Sequence, residues 1–279
     1  MELLDGKKVK LEILEELKKE LSNYERKLGL VVIEVGDDPA SLVYVGQKAK
    51  MASELDYNFN HIKLDENVSE EEILKIIDEL NNDDMVDGIL VQMPLPKHLD
   101  AKKIQNSIDP YKDVDGLSDV NAGKLMHGVD TLIPCTPYGV MDILKYYNID
   151  VEGKHVVIVG RSDLVGKPLA SLMTNNNATV TVCHSKTKDL IKHTKEADIL
   201  IAAVGKKGLI TGDMIKENAV VIDVGINRVN GKLYGDVDFE TAKEKVSFIT
   251  PVPGGVGEMT VAELAKNVVK AYTLRKDNR

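Results

Sequence analysis

The chain holds 279 residues, 43% of them hydrophobic and 29% charged, enough for two soluble domains at about 100–200 residues each. Its formal net charge is −9, which argues against phosphate-backbone binding and leaves room only for a local basic pocket, and with three Phe and no Trp there is little aromatic material for stacking single-stranded nucleic acid. No run of about 18 apolar residues is present to span a membrane, and the charged start MELLDGKKVKLEILEEL has no apolar signal region, so a cytoplasmic protein is expected.

The first strand candidate is LGLVVIEV. The stretch Asp38-Pro39-Ala40-Ser41 then offers capping chemistry, and the spacing predicts a helix from about Ser41 to Leu55. Leu42, Val45, Ala49 and Ala52 form one apolar row on it. Tyr44, Lys48, Met51 and Leu55 form a second, so that a cation interrupts an apolar face. A lysine there is either a solvated side chain with its stem on apolar surface or, if its head is desolvated, an acid/base group with a lowered pKa. Short-chain dehydrogenases also carry Tyr-x-x-x-Lys, but after their Gly-rich loop, and here Lys48 precedes the Gly-rich loop, at Gly160.

NFNHIKL and DGILVQM are further strand candidates, and SEEEILKIIDEL reads as a helix capped by Ser69. Val/Ile runs separated by helices indicate parallel strands covered on both faces, hence an α/β class built from βαβ crossovers. From Asp109 to Pro137 the chain turns rich in Asp, Gly and Pro, and is read as the connection to a second α/β unit. Cys135 and Cys183 give neither a metal spacing nor a disulfide framework, so no metal is expected.

After the helix pattern PYGVMDILKYYN, the second unit opens with HVVIVGRSDLVGKPLASLM, a strand, a Gly turn and a helix. Against the dinucleotide fingerprint G-x-G-x-x-G, Ser162 replaces the middle Gly and Gly166 comes one residue late. The loop alone fits a nucleotide site or a plain βα turn. The next strand, TVTVC, ends in His184-Ser185-Lys186-Thr187 with no carboxylate for a ribose 2′-OH. Hydroxyls and a cation there, with Arg161 in the loop, suit a 2′-phosphate and therefore NADP. DILIAAV and AVVIDVGI follow as strands; the turn at Gly225-Ile226-Asn227 follows the second, at the end where ligands bind, and the loop Pro251-Val252-Pro253-Gly254-Gly255-Val256-Gly257 either lets a flat ligand approach its backbone or is a plain strand-to-helix turn. MTVAELAKNVVKAYTLRK reads as a long terminal helix returning to the first domain.

Seven blocks, YVGQKAK, DGILVQMPLP, KDVDGL, IPCTPYGV, VVIVGRSDLVGKP, VIDVGIN and ITPVPGGVGEMTV, span Tyr44 to Val261 in order. By them the chain resembles the bifunctional methylenetetrahydrofolate dehydrogenase/methenyltetrahydrofolate cyclohydrolase family (FolD). The resemblance implies two α/β domains flanking a cleft, the second a Rossmann-like NADP-binding domain with a parallel sheet. The boundaries expected are 1–120 for a folate-binding domain completed by a helix over 259–279, and 121–258 for the NADP domain. It implies Lys48 as acid/base group, Tyr44 as its substrate-positioning neighbour, Gln92 as the group that tunes it, and Asp115 as the carboxylate that holds the pterin. Val91, Met93 and Pro253, Gly254, Gly255, Val256 and Gly257 are expected to complete the folate site. Gly160, Arg161, Ser162, Ser185, Ile226 and Thr260 are expected to contact NADP. Substrates would be one-carbon derivatives of tetrahydrofolate, and the oligomer a homodimer. Glu258 departs from the family, which has proline there; glutamate restores an N–H and adds a charge. Two alternatives stand beside this reading, a shikimate-dehydrogenase-like NADP oxidoreductase and a catalytically silent NADP- or folate-binding protein.

Overall fold

Each strand candidate forms a strand, NFNHIKL and TVTVC at full length and the others shorter than the quoted run by one to four residues. The computed structural model describes residues 1–277. Cα packing divides it into two units, one of Met1–Glu12 with Thr136–Thr260, the other of Ile13–Cys135 with the chain from Val261 onward. They are called here the dinucleotide unit and the lysine unit.

The lysine unit is built on a three-stranded parallel sheet in the order Asn58–Leu64, Gly29–Val35, Gly88–Val91. The central strand is buried at every position, and successive side chains point to opposite faces. Leu30 and Val32 pack with Val45, Met51, Ala52 and Leu55, and with Leu264, Ala265 and Val268 of the terminal helix Met259–Asp277. Val31, Ile33 and Val35 pack on the other face with Ile73 and Ile77 of the helix Glu70–Asn81. Ser69 caps that helix, its Oγ accepting from Glu72 N at 3.2 Å. The Lys48 helix starts earlier than its sequence suggests, at Pro39–Glu54, because Asp38 and not Ser41 is the cap; Asp38 Oδ2 accepts from Ser41 N at 3.2 Å.

The Asp/Gly/Pro-rich stretch after Asp109 is more structured than a bare connection. It carries the helix Asp119–Met126, capped by Ser118, and leads into the helix Cys135–Tyr146. It shows no apolar period because buried side-chain-to-backbone hydrogen bonds, described below, hold much of it in place.

The dinucleotide unit is a six-stranded parallel sheet in the order Glu2–Leu3, Phe248–Ile249, Val220–Asp223, Ile199–Ala202, His155–Val159, Thr179–Cys183. Its core includes Val157, Val159, Leu200, Val221 and Ile249. The two-residue strands are too short to read from sequence. A small hairpin, Asn227–Val229 with Lys232–Tyr234, is antiparallel. Its turn, Asn230-Gly231, has positive φ at both residues, 51° and 76°, the Asn-Gly signature of a tight hairpin. Among the described residues no helix is long and apolar enough to cross a membrane.

Candidate active site and dinucleotide site

Lys48 and Gln92 meet in the lysine unit because a helix and the end of a strand converge there. Gln92 follows the strand Gly88–Val91, its backbone N donating to Ile33 O at 2.8 Å. Lys48 Nζ donates to Gln92 Oε1 at 2.6 Å, and Gln92 Nε2 donates to Met93 O at 2.7 Å. The amide is thereby oriented with its oxygen toward the lysine, and it is 8% exposed. Burial draws the Lys48 ammonium below its ordinary value of 10.5, while the charges of Asp115 and Cys135 act the other way. Tyr44, one turn earlier on the same face, is 50% exposed. Leu42, expected on the apolar row, is exposed as well, because the helix buries Ser41, Val45, Met51, Ala52 and Leu55 instead.

Each residue of Lys112-Asp113-Val114-Asp115-Gly116 has a separate task. Lys112 is 1% exposed, and its Nζ donates to Leu80 O, Asn81 O and Asp83 O at 2.8, 2.7 and 2.7 Å. One cation thus serves orphan carbonyls at the end of the helix Glu70–Asn81. Asp113 is an internal staple, accepting from Ser118 N at 2.8 Å and Asn121 Nδ2 at 2.9 Å. Burial pushes its carboxyl up to about 6. Val114 fills the space over Gly88, where an added Cβ would lie 2.6 Å from Val114 Cγ1. Gly116 has φ of 67°, and a side chain there would strike the Ile133 carbonyl carbon at 2.6 Å. Asp115 is half-buried. Its carboxyl is raised by burial, with Lys48 opposing, so Lys48 and Asp115 form one electrostatic group.

Sequence reasoning missed two members of this group. Cys135 is 4% exposed, with Sγ 3.9 Å from Asp115 Oδ1 and 3.7 Å from Val114 O; burial raises its thiol well above 9.0. Asn267, on the terminal helix, donates to Val114 O at 2.9 Å and Ile133 O at 2.7 Å. Asn267 interrupts the apolar stripe of Leu264, Val268 and Ala271, which was a usable signal. Cys135 had none, since spacing does not separate a core cysteine from one beside a site. The side chain of Val91, named with Gln92 and Met93, is 3% exposed and belongs to the core facing Ile73.

In the dinucleotide unit the Gly160–Gly166 loop is tightly built. Gly160 has φ of 136°, and a Cβ there would meet Ala203 O at 2.2 Å; one at Gly166 would meet Gly160 O at 2.3 Å. Ser162, in place of the fingerprint glycine, uses its hydroxyl to accept from Val165 N at 3.2 Å at the start of the helix Gly166–Asn175. Arg161, Ser162, Ser185 and Lys186 are exposed at the carboxyl edge of the sheet. This donor set, with no carboxylate among Ser185–Thr187, fits a dinucleotide with a 2′-phosphate. Ile226 is 51% exposed, and its Cδ1 lies 3.1 Å from where a Cβ on Gly257 would stand, so Ile226 and the Pro253–Gly257 loop are neighbours. Val256 is buried, and Pro253 and Gly257 are exposed. The loop rests on the chain's start: Gly6 N donates to Gly254 O at 2.9 Å. Glu258, beside Thr260 at the head of the terminal helix, pairs with Lys10 Nζ at 3.2 Å.

Comparison with known proteins matches both units. The family model for the tetrahydrofolate dehydrogenase/cyclohydrolase catalytic domain covers residues 4–115, and that for the same family's NAD(P)-binding domain covers 134–276. The bifunctional protein FolD of a Nitratiruptor species is 52% identical over 99% of each chain. The crystal structure of the bifunctional enzyme FolD, methylenetetrahydrofolate dehydrogenase/cyclohydrolase, from Campylobacter jejuni is 50% identical, with TM-score 0.96 over 99% of each chain. The Trypanosoma brucei enzyme, in complex with NADP cofactor and inhibitor, is 37% identical, with TM-score 0.92 over 98% of each chain.

Proposed function

The chain belongs to the tetrahydrofolate dehydrogenase/cyclohydrolase family, and from that premise we propose how its own residues carry out the family's two reactions. The protein is a bifunctional one-carbon enzyme. It oxidises 5,10-methylenetetrahydrofolate to 5,10-methenyltetrahydrofolate with NADP and hydrolyses the product to 10-formyltetrahydrofolate. Family membership over both units sets aside the shikimate-dehydrogenase-like alternative.

The observation that carries the residue assignment is the Lys48–Gln92 hydrogen bond of 2.6 Å on a lysine whose pKa burial lowers. Hydrolysis begins with water attacking the cationic methenyl carbon. A neutral Lys48 accepts the first proton that water loses and returns it to the folate nitrogen as the carbon–nitrogen bond breaks, while the remaining O–H proton of the adduct leaves to solvent as the formyl C=O forms. A neutral amine also spares the site a second cation beside the substrate. Gln92 keeps Nζ in place, and Tyr44, on the same helix face, lines the pterin. Asp115 accepts the paired N–H donors of the pterin ring. Val91 and Met93 offer backbone and flank to the same ligand.

In the dinucleotide unit Gly160, Arg161, Ser162, Ser185, Ile226 and Thr260 would hold NADP, with Arg161 and Ser185 toward the 2′-phosphate. The cofactor would supply the acceptor for the hydride that leaves the methylene carbon. The chain's contribution to that step is positioning. The Pro253–Gly257 loop, lacking bulk at Gly254, Gly255 and Gly257, lets a flat ligand approach its backbone.

The net charge of −9 supports a protein without nucleic-acid partners, and we place it in the cytoplasm as a homodimer. A coupled assay following NADPH formation and methenyltetrahydrofolate absorbance, run with NADP and with NAD, tests the reading. Turnover of methylenetetrahydrofolate with preference for NADP is expected. No turnover with either cofactor would instead favour a silent binding protein.

A further inference from the structure

Two buried carboxylates in the dinucleotide unit have no part in the chemistry above, yet they organise its carboxyl edge. Asp236 is 0% exposed. Its Oδ2 accepts from Val204 N at 2.6 Å and Gly205 N at 2.9 Å, and its Oδ1 from Lys206 N at 2.8 Å and Asn227 Nδ2 at 2.9 Å. Three successive backbone N–H groups wrapped around an anion, with Gly205 at φ of 68°, form a nest. The nest lies just after the strand Ile199–Ala202, where a bound ligand's anionic group would otherwise find it, and it is filled from within the chain. Asp223, at the end of the neighbouring strand, accepts from Gly225 N, Asp236 N and Val237 N, each at 2.9 Å.

The two carboxylates interlock through glycines. A Cβ on Gly225 would stand 2.3 Å from Asp236 Cγ, and one on Gly235 would stand 1.8 Å from Asp223 Oδ2. The turn after Asp223 is therefore pinned on both sides of Ile226: Gly225 N is bound by Asp223 and the Asn227 side chain by Asp236. Ile226 itself stands out at 51% exposure from a turn with little freedom.

We infer that Asp236 is a positioning residue for the dinucleotide, holding Ile226 and the Val204–Lys206 turn in place through Asn227 and the nest. The inference rests on the cofactor reading of this unit given above. Its substitution damages NADP binding and leaves hydrolysis of methenyltetrahydrofolate, which consumes only water, intact.

The test is NADP titration by calorimetry, with both activities measured on the full chain. Asp236→Asn keeps the shape but turns an NH2 toward backbone N–H donors. The NADP Kd should rise about tenfold to a hundredfold, while hydrolysis stays within about twofold of wild type. Asn227→Ala removes the amide that donates to Asp236 Oδ1 and, at 3.3 Å, to Tyr234 O, and leaves the nest filled, so a smaller rise in Kd, about threefold, is expected. Asp213→Asn, an exposed carboxylate of the same unit, should change neither. A folded Asp236→Asn that binds NADP as wild type does, or that loses both activities equally, overturns the inference. Should Asp236→Asn fail to fold, Asn227→Ala decides, and an unchanged Kd there overturns it too. If the wild-type chain itself takes up no NADP, the cofactor reading fails and the inference falls with it.

Discussion

Replacing Lys112 by Met keeps a stem of similar volume and deletes the ammonium that serves three carbonyls. Those of Leu80, Asn81 and Asp83 lie 2.7–2.8 Å from Nζ, under a residue 1% exposed, so water does not readily take its place. An unmade buried hydrogen bond costs about 1–3 kcal/mol per group. Against this, Met no longer carries the desolvation of a buried cation, which offsets part of the loss. The net expectation is a destabilisation of about 3 kcal/mol, or a fall in Tm of about 6–12 °C at about 2–4 °C per kcal/mol for a protein of this size. Thermal unfolding followed by circular dichroism reads it. The pH dependence adds a signature. Burial, aided by Arg275, depresses the Lys112 pKa to about 8 from 10.5. Between those values the folded state binds fewer protons than the unfolded one, so wild-type stability rises with pH across that window. The Met variant should lack that share of the slope. A Tm within about 2 °C of wild type, with the slope unchanged, would refute the assignment of Lys112 as a buried cap.

Three further expectations concern the sites. Gln92→Met removes the acceptor of a charged donor and should lower the hydrolysis kcat about tenfold to a hundredfold, with NADP binding unaffected. Because Lys48 must be neutral to take a proton, hydrolysis should rise with pH through its lowered pKa. Asp115→Asn removes a charge that raises that pKa; the midpoint of the pH–rate profile should move to lower pH, and KM for the folate should increase. Glu258→Gln breaks a partly exposed pair with Lys10, whose side chains are 35% and 27% exposed, so a loss of at most about 1 kcal/mol and a change of less than about threefold in KM are expected.

The strands were legible because Val/Ile runs such as GLVVIEV report burial on both faces. The Lys48 helix was legible to within two residues at its start, the difference being whether Asp38 or Ser41 supplies the cap. What periodicity does not encode is side-chain-to-backbone bonding. Nothing in the spacing of Lys112, Asp113 or Asp236 marks them out; only the fold reveals that each is bonded to several backbone or side-chain partners. Spacing alone left Lys48 between a solvated lysine and an acid/base group. Its burial beside Gln92 supports the proposal of the second, on a helix where Tyr44 is half-exposed. The hairpin Asn227–Val229 with Lys232–Tyr234 has an Asn-Gly turn as its only sequence signal, because its strands are three residues each.

The role of Lys48 is tested most directly by Lys48→Met, assayed for hydrolysis of methenyltetrahydrofolate alongside NADP titration. With no amine to carry the proton, hydrolysis should fall to background while the NADP Kd stays within about twofold of wild type. Hydrolysis by that variant at the wild-type rate would contradict the account.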